Sequence, residues 1–249
     1  MKRIYLVRHG RTDWNREEIF RGKMEVPLDD VGRQQAGLVR EFLLKTCASR
    51  GECLAKIISS PLGRAKEMAE IIKAGFPEAA LEMDESFSDI DVGRWGGLYV
   101  IQVEKDFPHE YRTWLERPHE MRFPSGESLE EVRERAWRKF LDLAGTPTTA
   151  ESPGVSESIC IVSHRVPLKA LILTAIGAPL RSFWNLKVDT GSVSIMEVSG
   201  RPLTANSLHM FSGSSLPADA PDGAIEVTVA AVNITSHLDK IAAPDKRDF

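Results

Sequence analysis

The stretch Ile4-Tyr5-Leu6-Val7-Arg8-His9-Gly10 decides the fold, because four apolar, β-prone residues run straight into an arginine, a histidine and a glycine. The pattern reads as a buried strand that leaves its sheet at a turn, with Arg8 and His9 at the carboxyl end. Open α/β sheets bind their ligands at that end of the strands. Alone, the stretch would read as an edge strand with incidental polar residues at its tip. Two later stretches repeat the design. Ala55 to Ser59 is a short apolar strand, followed by Ser60 and Pro61 as N-cap and first helical residue, which puts Arg64 on the first helical turn. Ile159 to Ser163 is another, and it ends at His164. If the three strands are parallel neighbours, two guanidinium groups and two imidazoles converge on one spot.

Such a set of groups suits a phosphate monoester. Guanidinium forks match phosphate oxygens in pairs and stay charged at any working pH. The helix N-termini after Ser60 and Ser163 would add backbone N–H donors aimed at the anion.

Four motifs in order carry a family resemblance: Arg8-His9-Gly10 with Thr12 and Asn15, Ser59-Ser60-Pro61-Leu62 with Arg64-Ala65, Pro124-Ser125-Gly126-Glu127-Ser128, and Val162-Ser163-His164. Together they closely resemble the phosphatase branch of the histidine phosphatase superfamily, the phosphoglycerate-mutase-like fold. The resemblance runs from Lys2 to about Val198 and resumes at Asn233 and His237-Leu238. It implies a three-layer α/β/α architecture on a mostly parallel central sheet. It also implies a phosphomonoester hydrolase in which His9 becomes a phosphohistidine, while Arg8, Arg64 and His164 hold the phosphoryl oxygens, with no metal and no cofactor. Asn15 is then a hydrogen-bond donor to phosphate rather than a residue that merely closes the turn, and Gly10, Thr12 and Gly22 complete the substrate-binding set. Two nearby arginines disfavour protonation of His9, so its ring should be neutral near pH 7, with a backbone carbonyl on the other ring nitrogen fixing the tautomer.

The chain departs from the family in two places. Relatives present a Glu general acid in Leu-x-Glu-x-x-x-Gly-x-Trp-Glu-Gly, where this chain reads Phe87-Ser88-Asp89-Ile90-Asp91-Val92-Gly93-Arg94-Trp95-Gly96-Gly97. Asp89, one methylene shorter, is the expected proton donor, ahead of Asp91 and Asp84. A carboxyl group facing a phosphate dianion holds its proton more tightly, as a general acid requires. Arg165 stands where many relatives have Gly. It is either a solvated arginine at a helix start or an extra cation at the mouth of the site, favouring a substrate with a second negative group.

The composition is that of an ordinary globular chain: 249 residues, 42% hydrophobic and 27% charged, with a formal net charge of −4. That balance argues against nucleic acid or an anionic membrane as partner. Cys47, Cys53 and Cys160 lack metal-ligand spacing and read as reduced thiols. The apolar run after Met1-Lys2-Arg3 stops at Val7, too short for a signal peptide, so a cytoplasmic enzyme is the expectation.

Along the chain, 13–26 reads as a polar loop able to fold over the pocket. Helices are expected from Asp29-Asp30, from Leu62 to Ala74, from Ser128 behind a capping box, and from Pro167 to Ile176. The aromatic-bearing segment 81–123 is a candidate lid or substrate wall, and Glu127 and Ser128 read as structural. Ser192 to Val198 and Ala224 to Val232 read as paired strands. Between them 199–223, rich in Gly, Ser and Pro, reads as a flexible loop in preference to an oligomer contact, although a homodimer is compatible with it. The tail 239–249 should fray, and the whole chain, 1–249, should be one domain. A small phosphorylated metabolite is the expected substrate. A cofactor-dependent phosphoglycerate mutase is the alternative enzyme, disfavoured because 98–123 lacks a Glu-Arg-x-Tyr pattern; a non-catalytic phosphate-binding module is the third reading.

Overall fold

The computed structural model describes residues 1–146, 156–200, 225–239 and 241. Its first strand, β1 (Lys2–Arg8), is buried at all seven positions. Burial on both faces follows from its place in a six-stranded sheet. The order is β3 (Ala80–Met83), β2 (Glu52–Ser59), β4 (Ser156–Ser163), β1, β5 (Val193–Ser199), β6 (Glu226–Ile234). Strands β3, β2, β4 and β1 are parallel, while β5 pairs antiparallel with β1 and β6 antiparallel with β5.

Alternation along the strands divides the core into two layers of contact. Tyr5, Val7, Cys160 and Val162 face a cluster that includes Val39 and Leu43 of one helix, α2 (Asp30–Arg50), and Met68 and Ile72 of another, α3 (Gly63–Lys73). Ile4, Leu6, Ile159 and Ile161 face the opposite cluster. It contains Phe140 of α6 (Leu129–Gly145) and Leu168, Leu171 and Ile172 of α7 (Arg165–Ala175). The result is the expected α/β/α sandwich, and each large apolar side chain buried this way contributes on the order of 1.5–3 kcal/mol. The charged residues of the central strand are matched rather than solvated. Lys2 Nζ donates to the Leu143 carbonyl at 3.0 Å, and Arg3 pairs with Glu52 and Glu197.

A third apolar cluster sits outside this sandwich. Trp95, Tyr111 and Trp114 pack with Phe20, Phe123 and Phe183 around the short helices α4 (Val100–Asp106) and α5 (Pro108–Glu116). The aromatics of 81–123 are therefore chiefly packing residues, with Trp95 fully buried and edge-on to Phe20 and Phe123.

Several boundaries differ from the sequence reading. The expected loop 13–26 opens with a one-turn helix, α1 (Asp13–Arg16), closed by a capping box between Thr12 and Asn15. Ser60 does not cap α3, whose N-cap is Leu62. Ser60 Oγ instead accepts the Leu62 N–H at 3.3 Å and lies 2.8 Å from His164 Nε2. Helix α7 starts at Arg165, two residues early, and tolerates Pro167 because a first-turn N–H has no helical acceptor. Asp29 caps α2 and Ser128 closes its box with Glu131, as the sequence indicated. The expectations for the loop beyond Gly200 and for the tail beyond 241 fall on residues outside the described ones.

Gly10 shows why β1 must end as it does. The turn crosses the first turn of α2 so closely that a Cβ on Gly10 would collide with the Gly32 carbonyl oxygen. Gly10→Ala should destabilise the protein by about 1–3 kcal/mol in denaturant melts. A shift below about 0.5 kcal/mol, the range of an ordinary surface substitution, would mean that the turn repacks freely.

Candidate active site

Register brings the three strand ends level. Arg8 pairs with Ser163 across β1 and β4, and Ser59 pairs with Val162 across β2 and β4. Beyond the strands, the His9 amide donates to the Ser163 carbonyl at 2.9 Å and the Ser60 amide to the Val162 carbonyl at 3.0 Å. Hence His9 and His164, 155 positions apart in sequence (164 less 9), stand with ring centroids 5.1 Å apart. The opposite flank is held by the segment before β5. Gly191 N–H bridges the carbonyls of Arg8 and His9, and Arg8 Nη1 donates to the Val188 carbonyl at 2.8 Å. The closing segment secures that flank: Asn233 bonds both the backbone and side chain of Asp189, and His237 Nε2 donates to the Gly191 carbonyl at 2.9 Å.

His9 is oriented by its neighbour. Its Nδ1–H donates to the Gly10 carbonyl at 2.6 Å, which leaves Nε2 with the lone pair. Burial, then the charges of Arg64, Arg8 and Arg21, push the His9 pKa well below its ordinary value. His164 is lowered likewise by burial, Arg64, His9, Arg21 and Arg8. Both rings are therefore neutral at pH 7. Because the unfolded chain protonates these histidines and the folded chain does not, stability should be full above about pH 6.5 and fall as pH drops below it. Thermal melts between pH 7.5 and 5 would show this slope, and His164→Gln should reduce it. An unchanged slope in that variant would remove His164 from the account.

Arg64 is fully buried. Its Nη1 donates to the Met24 carbonyl (2.9 Å), and its Nη2 to the Gly22 carbonyl (2.8 Å) and Asp89 Oδ2 (3.2 Å). Burial pulls its pKa down to about 10, opposed by Asp89, so it remains a cation. It pins the segment 20–25 over the site, and Gly22 makes that possible with φ +51° and no room for a Cβ beside Val92. Asp89 also accepts the Ile90 N–H and lies 3.9 Å from His164 Nδ1. Among the described residues, His164 Nδ1 and Arg64 Nε are buried without a hydrogen-bond partner. Orphaned polar atoms beside a cleft mark a place prepared for a ligand.

The cleft itself encloses about 410 Å³ including its open mouth. It is lined by Arg8, His9, Arg21, Gly22, Asp89 and Arg165 on its polar side and by Phe20, Ile90, Val92, Trp114, Phe123 and Val166 on its apolar side. Asp89 is the acid on its wall; Asp84 caps the turn at Ser86 and pairs with Lys139, and Asp91 accepts from Gly93. Glu127 is structural as read. Burial raises its pKa, but bonds from Arg135 and the Asp91 amide outweigh this and hold it low. Thr12 and Asn15 are buried and bonded to one another, Asn15 Oδ1 accepting from the Thr12 amide at 3.0 Å and its hydroxyl at 2.9 Å. Arg165 is not solvated. It is buried, faces the cleft, and lies over Trp184 with its guanidinium 5.5 Å from the ring centroid. The N-terminus of α3 offers less than expected, since the Gly63 amide already donates to Glu25 at 2.8 Å.

Sequence reasoning missed Arg21. It is buried, lines the cleft, and its charge acts on His9, His164 and Arg64. The only available signal was its place immediately before Gly22 in a polar segment. No cluster of three or more His, Cys, Asp or Glu side chains with metal-holding geometry occurs among the described residues.

A sheet with level strand ends, a tautomer-locked histidine and converging arginines define a phosphoryl-transfer enzyme of the α/β class. Residues 4–209 match the family model for the histidine phosphatase superfamily, branch 1, and the chain belongs to that superfamily as a phosphomonoester hydrolase. Phosphoserine phosphatase 1 of Hydrogenobacter thermophilus is 31% identical over 213 residues, covering 81% of this chain and 89% of that protein. A probable phosphoglycerate mutase GpmB of Salmonella arizonae is 31% identical over 194 residues, covering 78% and 84%. The solved structure of Bacillus stearothermophilus YhfR superposes with a TM-score of 0.76 at 28% identity, covering 96% of this chain and all of that one. A mycobacterial glucosyl-3-phosphoglycerate phosphatase shares the fold, with a TM-score of 0.71 at 21% identity over 94% of this chain and 99% of its own.

Proposed function

We propose that this chain hydrolyses a small phosphorylated metabolite by double displacement on His9. His9 Nε2 attacks phosphorus, the ester P–O bond breaks, and Asp89 gives its proton to the departing alkoxide. Water then attacks the phosphohistidine, losing a proton to the Asp89 carboxylate, and inorganic phosphate leaves. Arg8, Arg64 and His164 stabilise the charge that redistributes over the phosphoryl oxygens. Asn15, Thr12, Gly10 and Gly22 shape the loop that surrounds them. The bond from His9 Nδ1 to the Gly10 carbonyl carries this reading, because it presents a neutral, correctly oriented lone pair among cations. The free thiols Cys47, Cys53 and Cys160 suit a reducing compartment such as the cytoplasm.

Rapid acid-free quenching during turnover of a radiolabelled phosphomonoester should trap label on the His9 peptide, stable to alkali and lost in acid. Turnover without such an adduct would overturn the double displacement. A mutase reading is motivated by the GpmB relatives. It requires 3-phosphoglycerate to be isomerised in the presence of 2,3-bisphosphoglycerate, whereas a hydrolase releases inorganic phosphate.

A further inference from the structure

The second imidazole of the site ends in an atom that the protein leaves unsatisfied. His164 is fully buried, and among the described residues its Nδ1 has no hydrogen-bond partner. That edge of the ring is turned toward Asp89, on the cleft wall, with Nδ1 3.9 Å from Oδ2. On the other edge, Nε2 lies 2.8 Å from Ser60 Oγ. Ser60 reaches it because the pairing of β2 with β4 runs on past the strands, the Ser60 amide donating to the Val162 carbonyl at 3.0 Å. Ser60 is itself fully buried, so its hydroxyl must find partners inside the protein.

Donors and acceptors decide which way the bond to Ser60 runs. A hydroxyl has one hydrogen to give and two lone pairs to offer. Ser60 Oγ accepts the Leu62 N–H at 3.3 Å, and among the described residues its own hydrogen meets His164 Nε2 as acceptor. Were Nε2–H to donate to Oγ instead, the hydroxyl hydrogen would be buried without a partner, which forfeits its bond to water for nothing. The lone pair left on Nδ1 would then face the Asp89 carboxylate. Both effects favour the hydroxyl as donor. We propose that Ser60 is a positioning residue: it holds neutral His164 with the ring hydrogen on Nδ1, so that Nδ1–H donates to a phosphoryl oxygen of the substrate. This rests on the hydrolase reading and names the group that sets the state of His164.

Both imidazoles then carry hydrogen on Nδ1 and use it for opposite tasks. His9 commits that hydrogen to the Gly10 carbonyl and presents a lone pair on Nε2. His164 commits its lone pair to Ser60 and presents a hydrogen on Nδ1. With ring centroids 5.1 Å apart, one ring offers the nucleophile and the other a donor for the group under attack. The opposite tautomer of His164 would turn a lone pair on the phosphoryl oxygens, and a neutral ring has no second hydrogen to offer. A donor fixed by a buried hydroxyl needs no reorganisation at the moment of reaction, which is where preorganised electrostatics gains its effect.

Nitrogen NMR of the full chain carrying isotope-labelled histidine reads the tautomer without any turnover. The His164 signals, identified by their loss in His164→Gln, should show hydrogen on Nδ1 and none on Nε2 in ligand-free wild type at about pH 7.5. In Ser60→Ala, hydrogen on Nε2 should appear in part of the population. The same variant should lose about 10–10²-fold in kcat for p-nitrophenyl phosphate with KM within about threefold, short of the ~10²–10³ that outright loss of a transition-state donor costs. A wild-type ring with hydrogen on Nε2, or on both nitrogens, would overturn the proposal. So would a Ser60→Ala enzyme whose His164 keeps the wild-type tautomer, or whose kcat falls less than about threefold. The wild-type spectrum decides even if Ser60→Ala fails to fold. If wild type hydrolyses p-nitrophenyl phosphate but shows the other tautomer, only this inference fails; if it hydrolyses no phosphomonoester, the hydrolase reading fails and takes the donor's task with it.

Discussion

His9→Ala should lower kcat/KM for p-nitrophenyl phosphate by at least about 10³-fold, the scale on which losing a covalent nucleophile acts. The size follows from geometry. His9 is one of two imidazoles at the level strand ends, and its Nδ1 is committed to the Gly10 carbonyl, so Nε2 is its free nucleophilic atom. His164 is held differently, with its Nε2 2.8 Å from Ser60 Oγ and its Nδ1 3.9 Å from Asp89 Oδ2. The fold should survive, since the ring is held by one side-chain bond and the adjoining backbone by Ser163 and Gly191. Activity within tenfold of wild type, in a variant with an unchanged melting curve, would remove His9 from the nucleophile's role.

The second large effect is a split between leaving groups. In Asp89→Asn, hydrolysis of an alkyl phosphate such as glycerol 3-phosphate should fall about 10²–10³-fold, because the alkoxide must be protonated as it departs. Turnover of p-nitrophenyl phosphate, whose leaving group is stable as an anion, should fall less than about tenfold. Asp89 lines the cleft, and its Oδ2 rests 3.2 Å from Arg64. A loss of equal size on both esters would show that it serves only as the counter-ion of Arg64. Product inhibition adds a second readout. Replacing the carboxylate by an amide removes the negative charge beside Arg64, so inorganic phosphate should inhibit the Asn variant at lower concentration than wild type.

How much of this was legible beforehand depends on the range of each interaction. The α/β/α class, the three strand ends and the placement of Arg8, His9, Arg64 and His164 could be read because each strand announces itself in a short apolar stretch, Ile4 to Val7, Ile57-Ile58 and Ile159 to Val162. The caps at Asp29 and Ser128 were equally local. The site's second layer was not. Ser60 looked like a helix cap because that is what a Ser-Pro step does in isolation, and only the presence of His164 2.8 Å away redirects its hydroxyl. Arg165 read equally well as a solvated helix start. Its burial depends on Trp184, nineteen positions on (184 less 165), which no periodicity connects to it.

Short-range preferences of the backbone and the alternation of apolar residues were thus enough to indicate the main elements and which side chains stand at their ends. Tertiary structure alone decided which cation meets which anion. It placed Arg21 on the cleft wall, turned Arg64 toward Asp89 and the 20–25 segment, and tied the closing residues Asn233 and His237 to the loop behind His9. The physical reason is that charge pairing and burial depend on distance in space, whereas propensity depends on distance along the chain.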